Sequence, residues 1–166
     1  AEMGARTFYE SFAAQNTEED MAAYLESAFT VEKLAGELAE ENAVFLIAEA
    51  NGQPVGYTKL QNSEPEPCII GERSMELCRI YCETAWQGCG VGSKLMQATH
   101  DQARAQGAET LWLGVWERNP RAIAFYARWG FRDVGSHIFV VGSDPQTDRI
   151  MQVLSLIHIC RCRRRG

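Results

Sequence analysis

Gln87-Gly88-Cys89-Gly90-Val91-Gly92 separates two segments of different period. Before it, Met75-Glu76-Leu77-Cys78-Arg79-Ile80-Tyr81-Cys82 reads as a β-strand, and after it Val91 to Gln106 reads as a helix. Glycine has no Cβ, so a glycine turn lets the backbone come close to a ligand. The first N–H groups of the following helix lack intrahelical partners and carry the positive end of its dipole, which suits the turn to phosphate. Gly88-x-Gly90-x-Gly92 differs from the Gly-x-Gly-x-x-Gly of a dinucleotide fold and lacks the Gly-Lys-Ser/Thr ending of a nucleotide-triphosphate loop. It implies a phosphate-bearing ligand of another kind, with a plain tight strand–helix connection as the alternative.

A second segment narrows the choice. Thr110-Leu111-Trp112-Leu113-Gly114-Val115-Trp116 is rich in strand formers. Asn119-Pro120 then starts a helix, with Asn as cap and Pro at the first helical position. That helix runs through Trp129 and stops at Gly130, a residue suited to a left-handed cap.

The glycine turn matches the Gln/Arg-x-x-Gly-x-Gly/Ala signature of the GNAT acetyltransferases. Ala122-Ile123-Ala124-Phe125-Tyr126-Ala127-Arg128-Trp129-Gly130-Phe131 matches their A-x-x-F-Y-x-x-x-G-F helix. The chain therefore resembles the GNAT superfamily. Leu113 to Asn119, Gly135-Ser136-His137-Ile138-Phe139, Gln146 to Met151 and the early Asn16 to Leu25 look like the bacterial Pai-type polyamine (spermidine/spermine) acetyltransferases. The likeness covers nearly all of residues 5–151.

The resemblance implies a single α/β domain with a central mixed, twisted sheet flanked by helices, and acetyl-CoA as cofactor. It implies that the strands holding Met75–Cys82 and Thr110–Trp116 splay apart, freeing the backbone of Ile80, Tyr81 and Cys82 to pair with pantetheine. Gln87, Gly88, Cys89, Gly90, Val91 and Gly92, with Ser93, would hold the pyrophosphate, and Asn119 the pantetheine arm. Phe125 and Arg128, on the same helix, are implied cofactor-binding residues, with a solvated helix charge as the alternative for Arg128. Tyr126 is the implied general acid for the departing thiolate, with a core tyrosine as the alternative.

The acceptor chemistry follows from charge. An ammonium with a lysine-like pKa of about 10.4 must lose a proton before its nitrogen can attack. Glu76, eleven residues before Gln87, is the candidate base, acting directly or through water; simple strand alternation puts it on one face with Cys78, Ile80 and Cys82. A hydrogen-bonded or edge-exposed glutamate is the plain alternative. Glu49 and Glu117, at strand ends, are candidates for binding a cationic amine. Trp116, Tyr24 and His137 are candidates to line the acceptor pocket, or else ordinary buried side chains. The expected reaction is direct attack in a ternary complex without a metal. An aminoglycoside or another amine drug as acceptor, or a non-catalytic acetyl-CoA- or polyamine-binding module, are the alternatives.

Composition fits one soluble domain: 166 residues, 46% hydrophobic and 23% charged. No apolar run reaches the roughly 20 residues of a membrane span, and no signal-peptide pattern is visible, so a cytoplasmic location is expected. The six cysteines lack zinc-ligand spacing and read as structural thiols. Residues 154–166 end in Cys-Arg-Cys-Arg-Arg-Arg-Gly, break from the preceding composition, and read as a non-native cloning or sequencing scar; the acetyltransferase domain is expected over 1–153. Without the four tail arginines the net charge of −6 becomes −10, which disfavours nucleic acid and draws in cations.

Along the chain, the first forty residues read as helical, with an N-cap at Thr17. Ala43–Ala50 and Pro54–Gln61 form a hairpin about Asn51-Gly52, and residues 62–74 an exposed loop. Closing strands are expected at Arg132–Val141 and Gln146–Leu154. Relative to the family the usual first strand is missing, and the sheet edge so exposed could pair with a second copy in a homodimer.

Overall fold

The computed structural model describes residues 1–154; the basic tail lies outside the described residues. Three helices come first: α1 (Glu2–Phe12), α2 (Glu18–Ala28) and α3 (Val31–Ala39), with a 3-10 turn at Ala13–Gln15. Thr17 caps α2 by accepting the Asp20 N–H, and Thr30 caps α3 through the Lys33 N–H. Then follow β1 (Ala43–Ala50), β2 (Gln53–Gln61), β3 (Ser74–Cys82), a 3-10 turn at Thr84–Trp86, α4 (Val91–Ala105), β4 (Thr110–Trp116), α5 (Pro120–Arg128), β5 (Arg132–Val141) and β6 (Asp144–Leu154). Asn51 and Gly52 turn the first hairpin with φ of 52° and 74°, the left-handed pair a two-residue turn requires.

The six strands form one sheet in the order β1-β2-β3-β4-β6-β5. Only β3 and β4 run parallel, as the α4 crossover demands; every other pair is antiparallel. β1 and β5 are the outer strands, and the described chain opens on α1. One face packs on α4 and α5 through Leu60, Met75, Leu77, Met96, Leu111, Leu113 and Met151, with Ile80, Phe125 and Tyr126 against them. The other face is covered by α1, α2 and the turn into α3 through Phe8, Met21, Phe29 and Val141, joined by Tyr24, Tyr81 and Phe139. Alternating strands with apolar residues at both parities account for a sheet buried on both sides.

Two expectations need correction. Lys59 pairs with Arg79 and Leu60 with Leu77, so Cys78 is an extra residue bulged out of β3. The bulge breaks the alternation: Met75, Leu77 and Ile80 face α4, and Glu76 faces the other way rather than sharing a side with Ile80. The segment 62–73 is also not simply exposed. Ile70 N–H donates to Gln152 Oε1, Thr110 Oγ1 donates to the Ile70 carbonyl, and Cys68 packs so closely on Gly135 that a Cβ there would lie 2.8 Å from its sulfur. Polar composition placed the segment outside; backbone and side-chain hydrogen bonds draw it over the end of the sheet.

Candidate active site

The site is built where β3 and β4 part. They pair at Ser74–Thr110, Met75–Leu111 and Glu76–Trp112 and nowhere beyond. From Leu77 onward β3 stays hydrogen-bonded to β2, with Thr58, Tyr57 and Gly56 opposite Ile80, Tyr81 and Cys82. Its edge toward β4 is therefore a row of backbone groups without a strand partner, open to an extended ligand.

The open end of that edge leads to the glycine turn. Gly88 and Gly90 have φ of 79° and 84°, and no atom lies within 4 Å of where a Cβ would stand on either. Gly90 caps α4, and the first amide to join the helical ladder is that of Lys94, which donates to Gly90. The N–H groups of Val91, Gly92 and Ser93 thus precede the ladder and lie at the positive end of a 15-residue helix. Cys89 and Ser93 are exposed. Gln87 is held by α5, because Arg121 Nη1 donates to its Oε1 at 2.8 Å. Phe125 rests 3.8 Å from the Gly92 Cβ position, and the exposed Arg128 guanidinium lies over the Phe125 ring. Asn119 caps α5 by accepting the Ala122 N–H. The open turn and the free strand edge together fit a ligand carrying both phosphates and an extended amide-rich arm.

Tyr126 projects from α5 with Phe125 and Phe131 packed on its ring. Burial first, and then the negative charge of Asp148, raise its phenol well above the ordinary value. It stays protonated through the neutral range. Tyr81 is likewise raised, chiefly by burial and then by neighbouring Tyr24, Tyr57 and Tyr126.

On the opposite face of β4 and β6 lies a chain of ionisable groups. Asp148 pairs in register with Trp116 on one side and His137 on the other. Its carboxylate is 3.9 Å from His137 Nε2, while His137 Nδ1 is 2.8 Å from Glu66 Oε1. Gly114 makes room for this contact: a Cβ there would stand 3.1 Å from His137 Nε2 and 3.4 Å from Asp148 Oδ2. Burial raises Asp148 to about 6, with His137 pulling it partly back.

The remaining expected residues divide. Trp116 is buried edge-to-face on Phe12, and Tyr24 is half-buried, stacked on Phe8. Glu117 is exposed just past β4, its N–H donating to the Thr147 carbonyl. Glu49 lies exposed on the outer strand β1, away from the cleft. Glu76 sits in the closed, paired part of the β3–β4 contact and accepts a hydrogen bond from Ser63 Oγ at 2.6 Å. Among the described residues no group of three His, Cys, Asp or Glu side chains could hold a metal ion, and the four cysteines are free thiols. Sequence reasoning missed Asp148, Glu66 and Arg121. Asp148 stands inside a stretch quoted for its family likeness, but only the β5–β6 pairing brings it to His137.

Comparison with known proteins agrees with this architecture. A model of the acetyltransferase (GNAT) family matches residues 5–131, and the chain belongs to that family. It is an N-acetyltransferase, and its acetyl donor is acetyl-CoA. An uncharacterized N-acetyltransferase of Lactobacillus delbrueckii subsp. lactis is 35% identical over 146 residues, 88% of this chain and 84% of the relative. An uncharacterized N-acetyltransferase of Mycobacterium bovis is 29% identical over 151 residues, 91% and 92% of the two chains. Among solved structures, the PaiA N-acetyltransferase of Thermoplasma acidophilum in complex with coenzyme A superposes with a TM-score of 0.76 at 22% identity, covering 92% of this chain and 89% of that one. The ribosomal-protein-S18-alanine N-acetyltransferase of Escherichia coli does so with 0.62 at 23% identity, over 84% and 90%. These two share the fold.

Proposed function

We propose that this acetyltransferase modifies a primary amine of a small cationic acceptor, polyamines before other amines, by direct attack within a ternary complex. The observation that carries the reading is the acidic group Glu66–His137–Asp148 on the sheet face beside the splay, where a cation gains from two carboxylates. The acidic balance of the chain supports it. No described helix is long and apolar enough to cross a membrane, and free thiols accord with a cytoplasmic location.

Acetyl-CoA, when bound, supplies a thioester whose acetyl group the amine takes. In this reading the turn from Gln87 to Gly92, with Ser93, holds the pyrophosphate through backbone N–H groups. The backbone edge of Ile80, Tyr81 and Cys82 receives the pantetheine arm, Asn119 borders it, and Phe125 and Arg128 flank the turn. Tyr126, kept protonated by its surroundings, gives its proton to the leaving sulfur. Tyr24, Trp116, Glu117 and His137 bound the acceptor, the aromatics giving the amine's carbon chain apolar contact.

Acceptor-dependent thiol release from acetyl-CoA, followed with a thiol reagent, tests the reading against spermidine, spermine, aminoglycosides and lysine peptides. Saturable release with polyamines is expected, falling about 100-fold in kcat for Tyr126→Phe with the fold retained. Release with a lysine peptide alone, or with no amine, refutes the acceptor class.

A further inference from the structure

The proposed reaction must dispose of two protons. The acceptor arrives as an ammonium with three, and the amide formed keeps one. One leaves with the sulfur, and the other must reach solvent from a cleft walled by buried aromatic rings. Glu76, the sequence-based candidate for this task, lies in the closed part of the strand pair and is already engaged by Ser63.

Asp148 is differently placed. It stands opposite Trp116, at the end of β4 where the splay is widest, and its side chain is 13% exposed. On its own sheet face His137 approaches from β5, α2 carries Tyr24, and β4 offers Trp116 and the bare backbone of Gly114; Tyr126 of α5 lies on the other face of the sheet. Both tyrosine hydroxyls sense its charge, Tyr24 from the same sheet face and Tyr126 from the other, beside which the splay between β3 and β4 opens. Behind it the contacts continue outward: His137 Nδ1 lies 2.8 Å from Glu66 Oε1, and in the Nδ1–H tautomer the Nε2 lone pair is turned toward Asp148. Glu66 is one-third exposed, on the loop that crosses the sheet end.

We infer that Asp148 is the catalytic base, taking a proton from the acceptor ammonium and passing it through His137 and Glu66 to solvent. The neutral nitrogen then forms its C–N bond to the acetyl carbon as the C–S bond breaks. The sulfur takes the Tyr126 proton, and the nitrogen's surplus proton restores Tyr126. Asp148 Oδ2 hands its own proton to His137 Nε2 while Nδ1–H gives one to Glu66, which releases it to solvent. His137 is left as the Nε2–H tautomer, and loss of that proton with uptake of another at Nδ1 from solvent resets the ring before the next cycle. The 3.9 Å gap to Nε2 exceeds a hydrogen bond, so a small ring movement completes each transfer. A carboxyl raised to about 6 is mostly ionised at pH 7 yet far more basic than an exposed aspartate, which suits it to receive the proton.

This inference rests on the amine-acceptor reading, and one experiment separates the two. Steady-state thiol release with spermidine is measured from pH 5 to 10 for the wild type, Asp148→Asn, Glu76→Gln and His137→Gln, with acetyl-CoA affinity and Tm of each. The wild-type kcat should rise with a midpoint near 6. Asp148→Asn should lose about 100-fold or more in kcat and lack that limb, with acetyl-CoA affinity and Tm kept. His137→Gln leaves Asp148 in place but breaks the path to Glu66, so kcat should fall with the acid limb retained; this readout does not depend on the folding of the aspartate variant. Retention of kcat within fivefold in Asp148→Asn, loss of the limb in Glu76→Gln alone, or a wild-type midpoint near 9 to 10 overturns the assignment while leaving the amine reading intact. No turnover by the wild type with any amine overturns both.

Discussion

Replacing Glu37 with alanine leaves two cations facing each other in a buried site. Lys59 and Arg79 are directly opposed on β2 and β3, a like-charge pair that is unfavourable on its own. Glu37, from α3, neutralises them: Arg79 binds it through both terminal nitrogens at 2.6 and 3.0 Å, and Lys59 Nζ lies 3.2 Å away. Lys59 is 5% exposed and Glu37 6%, so water cannot substitute for the lost carboxylate. Breaking a buried pair by deleting one partner costs about 3 to 5 kcal/mol. For a domain of this size that is a fall in Tm of roughly 10 °C or more. Urea denaturation at pH 7 with an unchanged m-value measures it. A loss below about 1 kcal/mol would refute the reasoning, because it would mean the cations are solvated. Glu37→Leu with Lys59→Met and Arg79→Met should regain most of the loss, since no charge is then left unpaired. Burial alone would raise the Glu37 carboxyl, but hydrogen bonds and charge from Arg79, then Lys59, hold it below its ordinary 4.5. Its contribution is therefore present above pH 4.5 and lost as pH falls through the lower folded value, so wild type and variant should converge in acid. Arg79 sits beside the bulge at Cys78, so the cluster also anchors the strand edge that borders the cleft.

Gly142→Ala should destabilise by about 2 kcal/mol or more, read as a fall in Tm: its φ is +60°, and a Cβ would lie 2.5 Å from the Asp20 backbone that the β5–β6 turn docks against. An unchanged Tm would mean the turn does not dock on α2. Gly90→Val should keep the fold with a small loss of stability, since open space faces its Cβ position but φ is +84°. Titration calorimetry should find acetyl-CoA binding weakened about tenfold, the equivalent of one lost hydrogen bond; equal affinity would remove the turn from the cofactor site.

The sequence by itself determined the elements. Period, caps and turn residues placed β1, β4 and β5 at their observed bounds and β2, β3, α4, α5 and β6 within one or two residues. They read the first forty residues as helical without dividing them into α1, α2 and α3, and named Thr17, Asn119 and the Asn51-Gly52 turn for the local roles they have. It also located the glycine turn, because a turn's conformation depends on its own few residues and on the absence of Cβ atoms. Only the tertiary structure decided what those elements bring together. The bulge at Cys78 reverses the side on which Glu76 lies, a consequence of pairing with β2 that no alternation in β3 reveals. Asp148 and His137 are 11 residues apart and meet because β5 and β6 fold back with Gly114 leaving the space between them; Glu66 joins from 71 residues away. Lys59, Arg79 and Glu37 form one buried cluster from three elements, though each alone reads as a surface charge. Local propensity is encoded in neighbouring residues, whereas burial and charge coupling depend on long-range contacts. The chemistry of this cleft is built from the second kind.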